Sequence, residues 1–173
     1  MLKFIGITLL LLSSAAVGAT LSYNVRQRVE EMIYLKKLMV MFRGDVCYKN
    51  SMLPEAFSTV AAKARTPYNI LFSSLAKDTE ENFSRSMAEV FCDNVDKVLA
   101  GATYLKENDL KNLKEVGETL GYQDQKMQIS NIDLYIDRLS ACIEEDKEKM
   151  GEQVKVYRTL AMMTGVMLAI VLL

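Results

Sequence analysis

Four carboxylates crowd into the first half of "IEEDKEKMGE", residues 143–152: Glu144, Glu145, Asp146 and Glu148. Clustered carboxylates are what a hard divalent cation or an acid–base pair requires. Lys147 and Lys149 are interleaved with them, and mixed signs at helical spacing describe a solvated face rather than a metal site. The chain has no histidine, which removes the commonest general base, metal ligand and pH switch together. Its three cysteines, Cys47, Cys92 and Cys142, stand apart with no C-x-x-C pair. Their odd number fits a reducing compartment, and each is expected to be a small buried core residue. No phosphate-binding glycine loop, dinucleotide fingerprint or G-x-S-x-G elbow occurs; the glycines of "EVGETLG" lie at the end of a charged helical stretch. No catalytic residue, metal site or cofactor is expected.

The elements around these residues are helical. The 173 residues suffice for one modest domain, and Pro (2) and Gly (8) are scarce. Met, Leu, Lys, Glu and Ala, all good helix formers, are abundant. Lys+Arg (21) and Asp+Glu (22) balance, so no basic excess points to nucleic acid. No stretch alternates with period two, and no strand is expected.

Both ends are apolar. No charge falls between Phe4 and Val25, or between Thr159 and Leu173. A bilayer core needs ~20 apolar residues, ~30 Å of helix. The first run meets this. The second meets it when the span starts near Val154, with Lys155 and Arg158 reaching towards the headgroups. Arg26, Arg28, Lys36 and Lys37 follow the first run, and Lys147, Lys149, Lys155 and Arg158 precede the second. The positive-inside rule then places the intervening domain in the cytoplasm. The expected organisation is an N-terminal transmembrane helix over 1–23, a cytoplasmic helical bundle over 24–157 and a C-terminal transmembrane helix over 158–173. The competing reading is a signal peptide cleaved after Val17-Gly18-Ala19, which would leave the domain outside. Ser14, Gly18 and Ser22 share one face of the first span, and Ala161, Gly165 and Ala169 share one face of the second, a spacing that lets helix backbones approach closely.

Between the anchors, Val25, Met32, Leu35, Met39, Phe42 and Val46 mark one face of a long helix with no break before Gly44. Ile129, Ile132, Ile136, Leu139, Ile143, Met150 and Tyr157 mark a heptad-like seam on another, interrupted at Asp146 and Gln153. Ile136, Leu139 and Ile143 are expected to be buried. Each long helix is expected to run on into its anchor. Four shorter helices lie between: one with Pro54 in its first turn, one begun by Thr66-Pro67 with Thr66 as N-cap, one opened by the capping box Ser86/Glu89, and one ending at a left-handed Gly121. Asp124 caps the last long helix.

Four stretches resemble the stage III sporulation protein AB family: "MLKFIG", "MLPEAF", "LKENDLKNLKEVGETLGYQDQKMQ" and "VYRTLAMMTGVMLAIVLL". The likeness covers essentially the whole chain and is less distinct over 66–104; Phe91 stands where members often carry Trp. Gly121, Asp124 and Gln128 match the family's corner motif. The resemblance implies an all-α bundle of about six helices, similar to the cytoplasmic domain of type II secretion F proteins. It also implies a non-enzymatic platform of a channel between mother cell and forespore, in the membrane around the forespore. Its partners would be a secretion-type ATPase and other channel subunits; a homo-oligomer stays open. The alternative is a two-span sensor relaying a signal through its helical stem. For a platform, the corner over 117–128 is the expected docking place, with Glu118, Gln123, Asp124 and Gln125 presenting polar groups. The competing view is that this corner only joins two helices.

Overall fold

The computed structural model describes residues 2–48, 52–81, 85–120 and 124–172. They form six helices: α1 (Leu2–Tyr48), α2 (Leu53–Ala61), α3 (Tyr68–Glu81), α4 (Met87–Leu99), α5 (Glu107–Thr119) and α6 (Gln125–Leu172). Among the described residues there is no strand. The chain divides into two compact units: Glu31–Cys142, and Met1–Glu30 with Ile143–Leu173.

α1 passes through Gly44 without a break. Its buried residues Met32, Leu35, Met39, Phe42 and Val46 recur at steps of three and four, as its periodicity requires. α2, α3, α4 and α5 pack in chain order, each against the next. At their centre Phe57 stacks on Phe42 with ring centroids 4.8 Å apart, while Phe72 and Phe91 tilt against it at 6.2 and 6.5 Å. The expected seam of α6 is buried only in part: Ile129, Met150 and Tyr157 are half-buried. Ile132, Tyr135, Leu139 and Ile143 are buried, and Ile136 is half-buried. The inward face runs through 132, 135, 139 and 143, steps of three and four that the helix period allows equally well.

The helix starts obey local chemistry. Pro54 sits in the first turn of α2. The Ser86 hydroxyl accepts from the Glu89 amide at 3.2 Å, capping α4. The Asp109 carboxylate accepts from the Lys106 amide at 2.8 Å, closing the first turn of α5. The Asp124 carboxylate accepts from the Lys126 amide at 2.9 Å, capping α6. Two expectations are corrected. α3 starts at Tyr68, after a cis Thr66–Pro67 bond, and its first amides reach the carbonyls of Arg65 and Pro67 rather than a Thr66 side chain. The cysteines are half-buried rather than core. Each lies one residue from a buried position (Val46, Phe91 or Ile143), about 100° around its helix. α5 ends at Thr119 with Leu120 extended; Gly121 lies outside the described residues.

In the unit built from the chain ends, the Arg28 guanidinium pairs with the Asp146 carboxylate, their side chains 15% and 24% exposed. Gly18 is buried between exposed Val17 and Ala19, and the Ser22 hydroxyl donates to the Gly18 carbonyl at 2.8 Å. The side chains of Ser14, Ala161, Gly165 and Ala169 lie outside the described residues, as does much of both apolar runs. Among the described residues no helix is long and apolar enough to cross a membrane.

Candidate functional site

Lys111, Lys114, Glu115 and Glu118 stand at i, i+3, i+4 and i+7 on α5. Asn131, Leu134, Tyr135 and Arg138 repeat that spacing on α6. Residues so spaced share one helix face. The two faces line a groove of about 470 Å³, with Cys92 of α4 and Val116 also in its lining. A smaller cavity of about 20 Å³ adjoins it, sharing Asn112, Tyr135 and Arg138.

The groove combines apolar surface with hydrogen-bond donors. Leu134 is 49% exposed in it, while Tyr135 is only 6% exposed. The buried Asn131 amide nitrogen has no hydrogen-bond partner among the described residues. Burial pushes the Tyr135 hydroxyl well above the ordinary phenol range, and the Asp109 carboxylate and Cys142 thiol act in the same direction. It is therefore a neutral donor throughout the physiological range. Arg138 touches Glu115 at 3.5 Å, both side chains well exposed. Lys114 pairs with Asp96 outside the lining. Burial also raises the Cys92 thiol. A thiol held protonated is a poor nucleophile.

Of the four expected docking residues, Glu118 alone lines this groove, where it is exposed. Asp124 is occupied in capping α6. The Gln125 side-chain amide donates to the Val46 carbonyl at 2.7 Å, tying the start of α6 to the end of α1. Gln123 lies outside the described residues. The carboxylate-rich stretch is largely a solvated face: Glu145 pairs with Lys149 in the open, and Asp146 is taken by Arg28. Among the described residues no group of three or more Cys, Asp or Glu could hold a metal ion. The groove was missed in the sequence because α5 and α6 carry ordinary surface residues. The signal for it was the identical i, i+3, i+4, i+7 spacing on both helices.

A second polar cluster fastens α3 to α1. The Tyr68 hydroxyl donates to Glu31 at 2.6 Å, and Arg65 pairs with the same carboxylate at 3.2 Å. The Arg65 guanidinium lies over the Tyr34 ring, 4.2 Å from its centroid, and the Arg65 amide donates to the Tyr34 hydroxyl at 2.7 Å. Every polar group here has a partner within the cluster, so it reads as a fastener.

Comparison with known proteins gives one consistent result. A family model described as stage III sporulation protein AB matches residues 3–173. Stage III sporulation protein AB of Bacillus subtilis (strain 168) is 22% identical over 173 residues, the full length of both chains. A solved structure of stage III sporulation protein AB superposes with a TM-score of 0.64 at 23% identity, covering 72% of this chain and 96% of that one. At this identity the solved structure supports the fold.

Proposed function

We infer that this chain, which belongs to the stage III sporulation protein AB family, is a non-enzymatic membrane platform of a secretion-like channel between mother cell and forespore. It holds a cytoplasmic bundle on two membrane anchors, and a secretion-type ATPase works against that bundle together with other channel subunits. The observation that carries this reading is the continuity of α1 and α6. Each is one unbroken helix, 47 and 48 residues long, joining charged bundle sequence to an apolar chain end.

The regulator reading depended on the interruptions of the α6 seam at Asp146 and Gln153, which would suit a movable stem. The interruption at Asp146 is filled. Arg28 meets Asp146, and parting them would strand a half-buried charge on each helix. A fixed stem favours the platform. Co-purification from membranes of sporulating cells tests the reading. Tagged full chain should recover a secretion-type ATPase and integral channel subunits. Recovery of a kinase or transcription factor in their place would establish the regulator instead.

A further inference from the structure

We propose that the outer faces of α1 and α6 pair with the same faces of a second copy of this chain, forming a two-fold dimer. Each face carries a stripe at alternating steps of three and four. On α1 it is Ile33, Lys37, Val40, Gly44 and Cys47; on α6 it is Met127, Ser130, Leu134, Asp137 and Ala141. Both stripes turn away from the buried residues of their helices, such as Leu35 and Leu139. Ile33, Val40, Met127 and Leu134 are 41% to 51% exposed. Single exposed apolar residues are ordinary, but apolar residues seven apart along one face are the pattern of a helix–helix seam.

The occupant follows from the register. Within one bundle the Arg43 guanidinium donates to Asp133 at 2.9 Å, and the Gln125 amide donates to the Val46 carbonyl. These two ties run α1 and α6 antiparallel and fix their levels. Stepping along both helices at equal rise, Val40 stands level with the stretch between Asn131 and Ile136, with Leu134 near its middle. On the same count Ile33 stands level with Ala141, Lys37 with Asp137, Gly44 with Ser130 and Cys47 with Met127. α1 meets α2 through Phe42 on Phe57, and α6 meets α5 through Tyr135 and Leu139 beside Asp109. The two outer faces therefore adjoin on the surface away from the short helices. A two-fold axis parallel to the helices keeps every level and lays α1 of each copy on α6 of the other. Apolar residues then meet apolar or small ones. The one charge in each stripe falls on its opposite, Lys37 on Asp137. Among the described residues neither of these two forms an ion pair within its own bundle. Further along, in the unit of the chain ends, Glu30 would face Glu144 and Arg26 would face Glu148, one repulsive and one attractive pair. The match of size, charge and level between the two stripes selects a second copy, and it holds whether or not the chain ends cross a membrane.

Sedimentation of the full chain in a neutral detergent tests this, and a concentration-dependent dimer is expected. Lys37→Asp sets like charges against each other in both halves and should raise the dimer dissociation constant about tenfold or more. Asp137→Lys should do the same. The two reversals in one chain should restore the parent value to within about threefold, because the pair is re-formed with its signs exchanged. Both positions are exposed, so Tm should hold in every variant. Disulfide trapping checks the register independently. Two differently tagged chains, each with its three native cysteines replaced by alanine, would carry Val40→Cys and Leu134→Cys respectively. Oxidation should join the two tags, and Lys63→Cys in place of Val40→Cys should not. A monomer at all concentrations, a dimer indifferent to Lys37→Asp, a double reversal that restores nothing, or no disulfide between the tags would each overturn the proposal.

Discussion

Phe57→Ala should remove about 3–5 kcal/mol of stability, the usual cost of emptying a large aromatic site in a packed core. Phe57 is fully buried and touches aromatic rings from three other helices: Phe42 of α1, Phe72 of α3 and Phe91 of α4. No other ring joins so many elements among the described aromatic pairs. Deleting it leaves three faces without a partner, and the neighbours collapse only partly into the space. A domain is commonly stable by ~5–15 kcal/mol in total, so the loss is a large share. Phe57→Leu keeps most of the volume and should cost clearly less. Chemical denaturation of both variants checks the order. Equal stability of Phe57→Ala and the parent chain would show that the four rings do not form one cluster.

Gly117→Ala should also destabilise the chain, against the intrinsic preference of a helix. In an open helix, alanine would gain ~1 kcal/mol over glycine. Here a Cβ would lie 2.5 Å from the Phe91 Cβ and Cγ and 2.6 Å from its Cδ1. The Phe91 Cβ is fixed by the α4 backbone, so no rotamer change relieves that contact. Forcing extra volume into a packed core typically costs ~1–3 kcal/mol, which exceeds the propensity gain. The net effect should be a loss of up to ~2 kcal/mol, larger for Gly117→Val. For a chain of this size, Tm moves by ~2–4 °C per kcal/mol. A higher Tm for Gly117→Ala would mean that α5 can retreat from α4 without penalty.

Periodicity placed the long helices because a packed face imposes its spacing directly on residues such as Met32, Leu35, Met39 and Phe42. Cap chemistry placed the starts of α4 and α6 because Ser86 and Asp124 meet local backbone amides, within three residues. Long-range facts were hidden. Nothing in "KEVGETL" says that Gly117 faces Phe91, some 26 residues earlier in the chain. Gln125 looked like a free polar tip residue because its acceptor, the Val46 carbonyl, lies on the first helix. The seam shifted from Ile136 to Tyr135 because both positions fit the helix period, and the neighbours that α6 meets decide which of them is buried. The groove was half legible: each face could be drawn from spacing alone, but their meeting could not. Asp146 was seen as a flaw in the seam, and its partner Arg28, which makes it a fastening, lies 118 residues away.

The platform reading requires that both apolar ends stay in the protein. Intact-mass measurement of the full chain extracted from membranes tests this most directly. The expected result is one species that includes residues 1–19, carried on a retained first helix. A mature N-terminus at Thr20 would contradict it, because the first anchor would be gone and the bundle would lie on the other side of the membrane from any cytoplasmic ATPase.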